Sequence, residues 1–422
     1  MNDSNIYSVS AREILDSRGN PTLEVTLILN SGYRGVSSVP AGASIGKYEA
    51  MELRDGDPKR YGGRGVLKAV DHVNRLINAK LKGVDALDQG SVDKIMRDLD
   101  GTPNKAALGA NAILGVSQSA AVAAANHKRM PLYHYLNVLA NGGKSGRMTR
   151  IPTPTFNVVN GGKHGGGNLD FQEYHIVPAS NKTFSEALRT GAELYHKVGE
   201  LLAAKGAVRA TGDEGGFAPN LSTNMDALEI LTESIRTSPY RFGTDVFFGL
   251  DIAASSFRSD RGYQIRDRPV AYTTGEFIEY IADMHKIYRM LMIEDPLGED
   301  DWDGWIKLNK EFGGDILFIG DDLLTTNPQR LTHAIDKKAC SAILLKPNQI
   351  GTLTEFFTVV ALAKKNDIRC IVSHRSGETN DSFLSDLAVA VQSDYVKFGA
   401  PARGERVAKY NRLLQIESEL FP

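Results

Sequence analysis

This sequence contains almost no cysteine, and its positive and negative charges almost cancel. The 422 residues include two cysteines and carry a net charge of −2. Two cysteines cannot form a disulfide framework, and Cys340 and Cys370 both lie in apolar segments, so we expect buried thiols in a reducing compartment. The small net charge provides no general attraction to nucleic acid or to anionic membranes. No nucleic-acid partner is therefore expected, and any site for a polyanion must be local.

Long apolar runs are also missing. No segment approaches the roughly 20 apolar residues of a membrane span. The polar start MNDSNIYS is unlike a signal peptide. These absences predict a cytoplasmic protein that does not enter a membrane.

The first 140 residues indicate a small α+β domain. A chain of 422 residues is too long for one ordinary core, so two domains are expected. The segment TLEVTLIL (22–29) alternates in polarity, and a turn leads from it into a second strand-like segment, YRGVSSVP (33–40). Helical periodicity follows over 65–81, 90–99 and 111–128. A strand meander followed by helices is typical of the α+β class, and we place this domain at residues 1–140.

Beyond a glycine-rich, basic linker at 141–152, short apolar runs alternate with helical segments. Six of these runs end in a polar residue: Asp251, Glu294, Asp321, Lys346, His374 and Lys397. From the second one onward they follow at intervals of 23 to 28 residues, about the length of one strand–helix unit. Parallel strands that are covered on both faces are apolar throughout, as these runs are. We therefore predict a TIM-like α/β barrel over residues 141–422, with the polar strand ends on one rim.

A doubly wound open sheet is the alternative fold that would also produce apolar strands alternating with helices. Such a sheet usually carries a glycine-rich phosphate loop after its first strand. The sequence contains neither the G-x-G-x-x-G pattern nor a Walker motif. The barrel is therefore preferred.

Three carboxylates follow successive predicted strands. Asp251, Glu294 and Asp321 form an oxygen-only set, which suits a hard cation such as Mg²⁺ better than zinc. The alternative is that each carboxylate merely caps the helix that follows its strand. Three carboxylates at equivalent positions, followed by two lysines and a histidine on the next strands, favour the metal site.

Lys346 lies at the end of the apolar run SAILLK, directly before Pro347. A lone lysine at a strand end usually extends into solvent. Close to a divalent cation, however, its pKa is expected to fall toward neutrality, which would make the amine a base. A base beside a metal suits removal of a proton next to a carboxylate, because the metal neutralises the charge that develops on the enolate oxygens.

Longer motifs run in order along essentially the whole chain. They are AREILDSRGNPTLEV (11–25), GASIGKYEAMELRDGD (42–57), LDGTPNKAALGANAILGVS (99–117), NVVNGGKHGGG (157–167), DFQEY (170–174), GDEGGFAPN (212–220), SHRSGET (373–379) and GAPARGERVAKYNRLLQIE (399–417). In these motifs the sequence resembles the enolase family, the phosphopyruvate hydratases. Active sites of the enolase superfamily are known to combine a lysine or histidine base with one or two Mg²⁺ ions. The resemblance implies an enolase-type barrel behind a smaller N-terminal domain, and a homodimer or a higher assembly of dimers.

The resemblance also implies a reaction, the reversible dehydration of 2-phosphoglycerate to phosphoenolpyruvate with two Mg²⁺ per active site. It implies that Lys346 removes the proton from C2 and that Glu214 protonates the departing 3-hydroxyl. The implied ligands of the first Mg²⁺ are Asp251, Glu294 and Asp321, and Ser44, in a closing loop, is the implied ligand of the second.

The remaining implied residues bind or line the substrate site. The residues implied to bind the phosphate and carboxylate end of the substrate are Arg375, Ser376 and Lys397. Those implied to line the rest of the site are His164, Gln172, Glu173 and His374. The resemblance also implies a catalytic role for three of these residues, His164, Glu173 and His374, beside Lys346 and Glu214. It further implies that substrate contacts Glu294, Asp321 and Lys346. His164 directly precedes three glycines, which favours a residue of a closing lid over a core histidine.

Three positions depart from the usual family pattern. Ala41 and Ile45 replace polar residues, and Pro347 replaces an apolar one. The alternatives left open are therefore a paralogue that acts on a related phospho- or phosphono-acid and an enolase-derived binding protein. A protein used only for binding would have no need of the complete acid, base and metal-ligand set.

Overall fold

A computed structural model describes residues 2–42, 46–166 and 169–422. It contains a small N-terminal sheet with helices packed against it, followed by a closed eight-stranded barrel. The predicted fold class is therefore confirmed. None of the helices in the described part of the chain combines the length and apolar character that a membrane crossing needs.

The N-terminal sheet is an antiparallel meander of three strands. The strands are β1 (Ile6–Leu15), β2 (Pro21–Leu29) and β3 (Arg34–Ser38). In β2 the alternation of the sequence becomes an alternation of burial, with Leu23, Val25 and Leu27 fully buried. The prediction placed β2 and β3 but missed β1, which pairs with β2 along its length.

Five α-helices follow this sheet in the chain. They are α1 (Leu67–Asp71), α2 (Asn78–Leu81), α3 (Gln89–Asp100), α4 (Ala110–Lys128) and α5 (Leu132–Ala140). The predicted helix 65–81 is α1 and α2 joined by a π-helical turn, His72–Ile77. The last helix, α5, packs against the barrel instead of the sheet, and Asn137 there donates a 2.8 Å hydrogen bond to the carbonyl of Ala390. The division of the chain at residue 140 stays a prediction.

The barrel contains eight strands, and a two-stranded hairpin lies outside it. The barrel strands are β4 (Thr153–Asn160), β5 (Glu173–Pro178), β6 (Val246–Asp251), β9 (Met290–Glu294), β10 (Leu317–Gly320), β11 (Ala342–Leu345), β12 (Arg369–Ser373) and β13 (Tyr395–Lys397); the hairpin is β7 (Arg258–Ser259) with β8 (Gly262–Tyr263). The helices are α6 (Phe184–Ala204), α7 (Asn224–Arg236), α8 (Thr274–Tyr288), α9 (Trp302–Phe312), α10 (Pro328–Lys337), α11 (Pro347–Ile350), α12 (Leu353–Lys365), α13 (Phe383–Ala390) and α14 (Gly404–Leu420). Around the barrel the order is β10, β11, β12, β13, β4, β5, β6, β9.

Local sequence signals start several of the barrel helices. Thr183 and Glu186 form a capping box at the start of α6, in which each side chain bonds the other's backbone amide. α8 begins with an equivalent pair, Thr273 and Glu276. Pro347 ends β11 because it has no amide hydrogen, and it also occupies the first turn of α11, where that amide is not needed.

The six predicted runs form parallel strands, but β5 runs in the opposite direction. It pairs antiparallel with β4 and with β6, and Glu173 stands opposite Asp251 in the register. Because of this reversal the first residue of β5, and not its last, lies on the rim where the other strands end. Glu173 thus joins the polar strand ends through the direction of its strand.

Both cysteines are buried, as predicted. Cys340 precedes β11 and Cys370 lies in β12, and both thiols are free. Burial raises the pKa of each thiol to about 12. Neither thiol is therefore ionised near neutral pH.

Gly191 in α6 provides a test of how closely the helix packs on the barrel. A Cβ at this position would lie 2.2 Å from the ring of Phe156 in β4, whereas a Cβ at Gly275 in α8 would meet nothing within 4 Å. We expect Gly191→Ala to destabilise the protein by about 1–3 kcal/mol through overpacking. Gly275→Ala should leave stability equal or raise it by up to about 1 kcal/mol, because alanine favours the helix. Urea denaturation of both variants measures the difference, and equal midpoints would contradict the close packing of α6.

Candidate active site

One cavity of about 350 Å³ opens at the rim where the parallel strands end. Its wall includes eleven of the predicted residues: His164, Gln172, Glu173, Glu214, Asp251, Asp321, Lys346, His374, Arg375, Ser376 and Lys397. Glu294 lies directly behind this wall and is bonded to Lys397. Ser44 falls outside the residues that the structure describes. The barrel therefore brings together residues that are up to 233 positions apart in the sequence, from His164 to Lys397.

Lys397 lies at the centre of the rim carboxylates. Its Nζ is 3.0 Å from Asp251 Oδ2, 2.8 Å from Glu294 Oε2 and 3.3 Å from Glu173 Oε2. Burial would lower the pKa of this lysine, but the surrounding carboxylates raise it well above its usual value. Lys397 is therefore a fixed positive charge that compensates part of the negative charge of the cluster.

The carboxylates still carry an excess of negative charge. Burial and the nearby charges of Asp251 and Asp321 raise the pKa of Glu294 well above its usual value. Among the described residues, Asp251 Oδ1 and Glu294 Oε1 are buried without any hydrogen-bond partner. Buried carboxylate oxygens without donors are costly in a protein interior. These two oxygens, aided by Asp321, fit a hard divalent cation.

Asp295 is a fourth carboxylate of this cluster and was not among the predicted site residues. Oxygens of Glu294, Asp295 and Asp321 lie within 4.8 Å of one another, a grouping that omits Asp251. Both oxygens of Asp295, however, accept backbone amides, from Asp321 at 3.1 Å and from Asp322 at 2.7 Å. Asp295 therefore holds the chain after β10 in place, and Asp251, with its unpartnered oxygen, remains the better candidate ligand.

Lys346 contacts the same cluster through Asp321. Its Nζ donates to Asp321 Oδ2, and the other oxygen of that carboxylate accepts a 3.1 Å bond from Gln349. Burial would lower the pKa of Lys346, but the Asp321 carboxylate raises it above its usual value. The positive charges of Arg375 and Lys397 act in the opposite direction. Asp321 thus links the candidate base to the candidate metal ligands.

Arg375 forms a buried ion pair with a residue of the N-terminal domain. Its guanidinium donates to Glu49 Oε2 at 2.9 Å and to Asn348 Oδ1 at 3.1 Å. Glu49 Oε1 also accepts the backbone amide of Gly46 at 2.9 Å. Glu49 was not predicted, since nothing in its sequence context marks it as a partner of Arg375. The N-terminal domain therefore completes one side of the cavity.

Glu214 lies in the loop between α6 and α7 and is fully enclosed. His374 Nε2 is 3.2 Å from its Oε2, and Asn157 donates to the same oxygen at 3.2 Å. The segment after β13 approaches closely, because the amide of Ala400 donates to the carbonyl of Glu214 at 3.0 Å and a Cβ at Gly399 would lie 2.7 Å from that oxygen. These contacts fix both the backbone and the carboxylate of Glu214.

Arg406 determines which nitrogen of His374 carries the hydrogen. Its guanidinium lies 2.8 Å from His374 Nδ1 and can only donate, so Nδ1 accepts and the hydrogen sits on Nε2, toward Glu214. Arg406 also donates to the carbonyls of Arg375 and Ser376 at 2.7 and 2.6 Å. It belongs to the motif GAPARGERVAKYN, but only the structure shows that it is fully buried behind the site.

A second histidine, His164, bridges the two glutamates. Its Nδ1 is 2.9 Å from Glu173 Oε1, and its Nε2 is 3.1 Å from Ser376 Oγ. The Ser376 hydroxyl donates its single hydrogen to Glu214 Oε1 at 3.1 Å, so His164 Nε2 must be the donor to Ser376. His164 is then doubly protonated. This agrees with its pKa, which burial would lower but the charges of Glu214 and Glu173 raise.

Both glutamates are ionised in this arrangement. Burial would raise the pKa of Glu214, but His164, His374 and Arg406 hold it well below the usual range. Burial and the charge of Glu214 would raise the pKa of Glu173. The opposing effect of Lys397 and of the two hydrogen-bonded histidines is larger, so the pKa lies below its usual value. The result is a charged chain of Glu173, His164, Ser376 and Glu214.

Gln172 completes the predicted set. Its side-chain amide donates to Asp251 Oδ2 at 3.1 Å. It therefore helps to orient the Asp251 carboxylate while it lines the same cavity.

Two family models match the chain. The model described as the enolase N-terminal domain matches residues 6–136, and that described as the enolase C-terminal TIM barrel domain matches residues 148–421. Together they cover both of the structural units described above.

The two site histidines should titrate in opposite senses. Because the pKa of His164 is raised in the folded protein, its protonation stabilises the folded state. This contribution is complete below the unfolded pKa of about 6.5 and is lost as the pH rises through the folded pKa. Burial and Arg406 lower the pKa of His374, against the charge of Glu214, so its contribution is instead lost as the pH falls below about 6.5. We expect ¹⁵N spectra of histidine-labelled protein at pH 6.5 to show His164 as imidazolium and His374 as neutral imidazole. His164→Gln and His374→Gln assign the signals, and equal titration midpoints would contradict the assigned protonation states.

Proposed function

Because the chain belongs to the enolase family, we propose that it catalyses the reversible dehydration of 2-phosphoglycerate to phosphoenolpyruvate. Family membership supports a lyase of the enolase type that uses a divalent cation. The observation that carries the finer proposal is that Lys346, Glu214 and the carboxylate cluster face one cavity. A base, an acid and a cation site are the three elements that this reaction needs.

Lys346 is the proposed base that removes the C2 proton. Its amine is bonded to a single carboxylate, that of Asp321, whereas Lys397 is held by three carboxylates. A divalent cation held by Asp251, Glu294 and Asp321 would offset the charge of Asp321, and this would favour the neutral amine that a base requires. Arg375 and Lys397 already favour the neutral amine.

Glu214 is the proposed acid for the departing 3-hydroxyl. It is ionised in the structure, so it must first receive a proton. The chain through Ser376 to the imidazolium of His164 supports a short route for that proton, with hydrogen-bond distances of 3.1 Å at each step. In the reverse reaction the ionised Glu214 is ready to accept a proton from water.

Binding of the phosphate and carboxylate is proposed for the cationic side of the cavity. Arg375 offers a planar fork that matches phosphate oxygens, and Ser376 a hydroxyl beside it. Lys397, held by three carboxylates, is proposed to act on the substrate carboxylate as a positive charge at the base of the cavity.

We propose Asp251, Glu294 and Asp321 as the ligands of one Mg²⁺ and Ser44 as a ligand of a second. The two unpartnered oxygens of Asp251 and Glu294 support the first site. The second ligand set lies outside the described residues and stays a prediction.

The cellular setting follows from the reaction. A 2-phosphoglycerate dehydratase serves glycolysis and gluconeogenesis, and we propose a cytoplasmic homodimer or an assembly of dimers in that role. The oligomer is testable by light scattering of the purified protein.

The decisive assay follows the absorbance of phosphoenolpyruvate as it forms from 2-phosphoglycerate, Mg²⁺ and purified protein. Formation of product supports the proposal. If the protein is inactive on 2-phosphoglycerate but exchanges a C2 proton of a related phospho- or phosphono-acid, the paralogue is favoured instead.

Replacement of the proposed base and acid should separate the two chemical steps. Lys346→Ala should abolish exchange of the substrate C2 proton with solvent, because the amine that removes it is gone. Glu214→Gln should retain exchange while dehydration falls by about 10²-fold or more, the usual worth of an acid catalyst. Exchange is followed by proton NMR in deuterated buffer, with Lys337→Ala on the exposed surface of α10 as the matched control. Full exchange in Lys346→Ala would show that the base is misassigned.

Loss of a carboxylate from the proposed metal site should weaken Mg²⁺ binding. Asp251→Asn, Glu294→Gln and Asp321→Asn each remove an anionic oxygen, and we expect a loss of affinity of at least about tenfold, the lower bound for residues that only support ligands. Isothermal titration with Mg²⁺ measures the affinity, and Asp303→Asn on the exposed face of α9 is the control. A chelator should silence the wild type reversibly. Unchanged affinity in two of the three site variants would favour helix capping as the role of these carboxylates.

A further inference from the structure

A third histidine, His175, lies inside the barrel beneath the site. It follows Glu173 by two positions in β5, so both side chains point to the same face of the strand, into the barrel. Its Nε2 is 2.8 Å from Glu173 Oε2, and the residue is 2% exposed. The wall of the cavity does not include it, so it does not contact a ligand there.

The barrel interior is shaped around this imidazole. Gly249 of β6 pairs with His175 in the register. A Cβ at Gly249 would lie 3.3 Å from the Cβ of His175, 3.4 Å from its Nδ1 and 2.9 Å from Met292. The missing side chain at Gly249 therefore leaves the space that the ring and Met292 share.

The direction of the hydrogen bond follows from the charge of Glu173. An ionised carboxylate can only accept, so the hydrogen lies on Nε2 of His175. The two oxygens of Glu173 then have separate donors, His175 on Oε2 and His164 on Oε1, with Lys397 3.3 Å from Oε2. Two donors on opposite oxygens fix the plane of the carboxylate.

We propose that His175 is a positioning residue for the reaction. It holds Glu173 so that Oε1 receives His164, and it thereby aligns the path from His164 through Ser376 to Glu214 by which the acid is protonated. The inference rests on the proposed function, since the path matters only if Glu214 donates a proton. His175 itself does not touch the substrate.

Two substitutions separate the hydrogen bond from packing. His175→Leu introduces an apolar side chain of similar size and removes the donor, whereas His175→Gln places an amide donor near the position of Nε2. We expect His175→Leu to lower kcat for 2-phosphoglycerate by about tenfold or more with KM changed less than about twofold, as for a contact that acts on the chemical step. His175→Gln should recover most of kcat. Met292→Leu, a volume-conserving change beside the ring, should retain wild-type kcat.

Two results of these kinetics would overturn the inference. One is a wild-type kcat in His175→Leu. The other is equal impairment in His175→Leu and His175→Gln, which would assign the effect to packing.

A measurement on the unsubstituted protein decides the same point without activity. In ¹⁵N spectra of histidine-labelled wild-type protein, the signal that disappears in His175→Gln should show the hydrogen on Nε2. A hydrogen on Nδ1 alone would overturn the inference even if His175→Leu fails to fold. If the wild type does not convert 2-phosphoglycerate, the proposed function has failed, and the spectrum still reports whether His175 donates to Glu173.

Discussion

The site depends on matching buried charges of opposite sign. Lys397 lies among Asp251, Glu294 and Glu173, all nearly inaccessible to solvent. Loss of one partner from a buried ion pair typically costs about 3–5 kcal/mol, because the other charge stays buried and unpaired. The rim therefore tolerates little change in the position of any strand end. The backbone bonds of Asp295 and the fully buried Arg406 are consequences of this demand, since each fixes a segment that carries a charged group.

The same demand ties the N-terminal domain to the barrel. Glu49 is the partner of Arg375, and the backbone of Ala41 forms two hydrogen bonds with that of Gly377, at 2.7 and 2.9 Å. Farther from the site, Asp93 of α3 accepts the amide of Thr354 at 2.9 Å. The cavity is thus formed by both domains, although most of its charged groups belong to the barrel.

Residues at strand ends could be predicted because position in the strand and chemistry coincide there. The apolar run before Lys346 or Asp321 marks a buried strand, and the polar residue that ends it must lie on the rim. His175 could not be predicted in this way, because a histidine inside a strand gives no sign of its partner. Arg406 lies in a helix whose pattern does not show which face is covered. The reversal of β5 also escaped prediction, since the direction of a strand depends on how the chain returns to the barrel and not on the composition of the strand.

The direction of β5 has a consequence for how the chain folds. The pairs of β4 with β5 and of β5 with β6 join barrel strands that follow one another along the chain, whereas β4 must also pair with the distant β13, where Thr153 stands opposite Tyr395. Contacts between distant parts of a chain form slowly, because a long loop must be closed first. Until β13 is made, β4 has an open edge with unpaired backbone groups that can join another chain. Placement of β13 between β12 and β4 is thus the step that closes the barrel and removes this aggregation-prone edge.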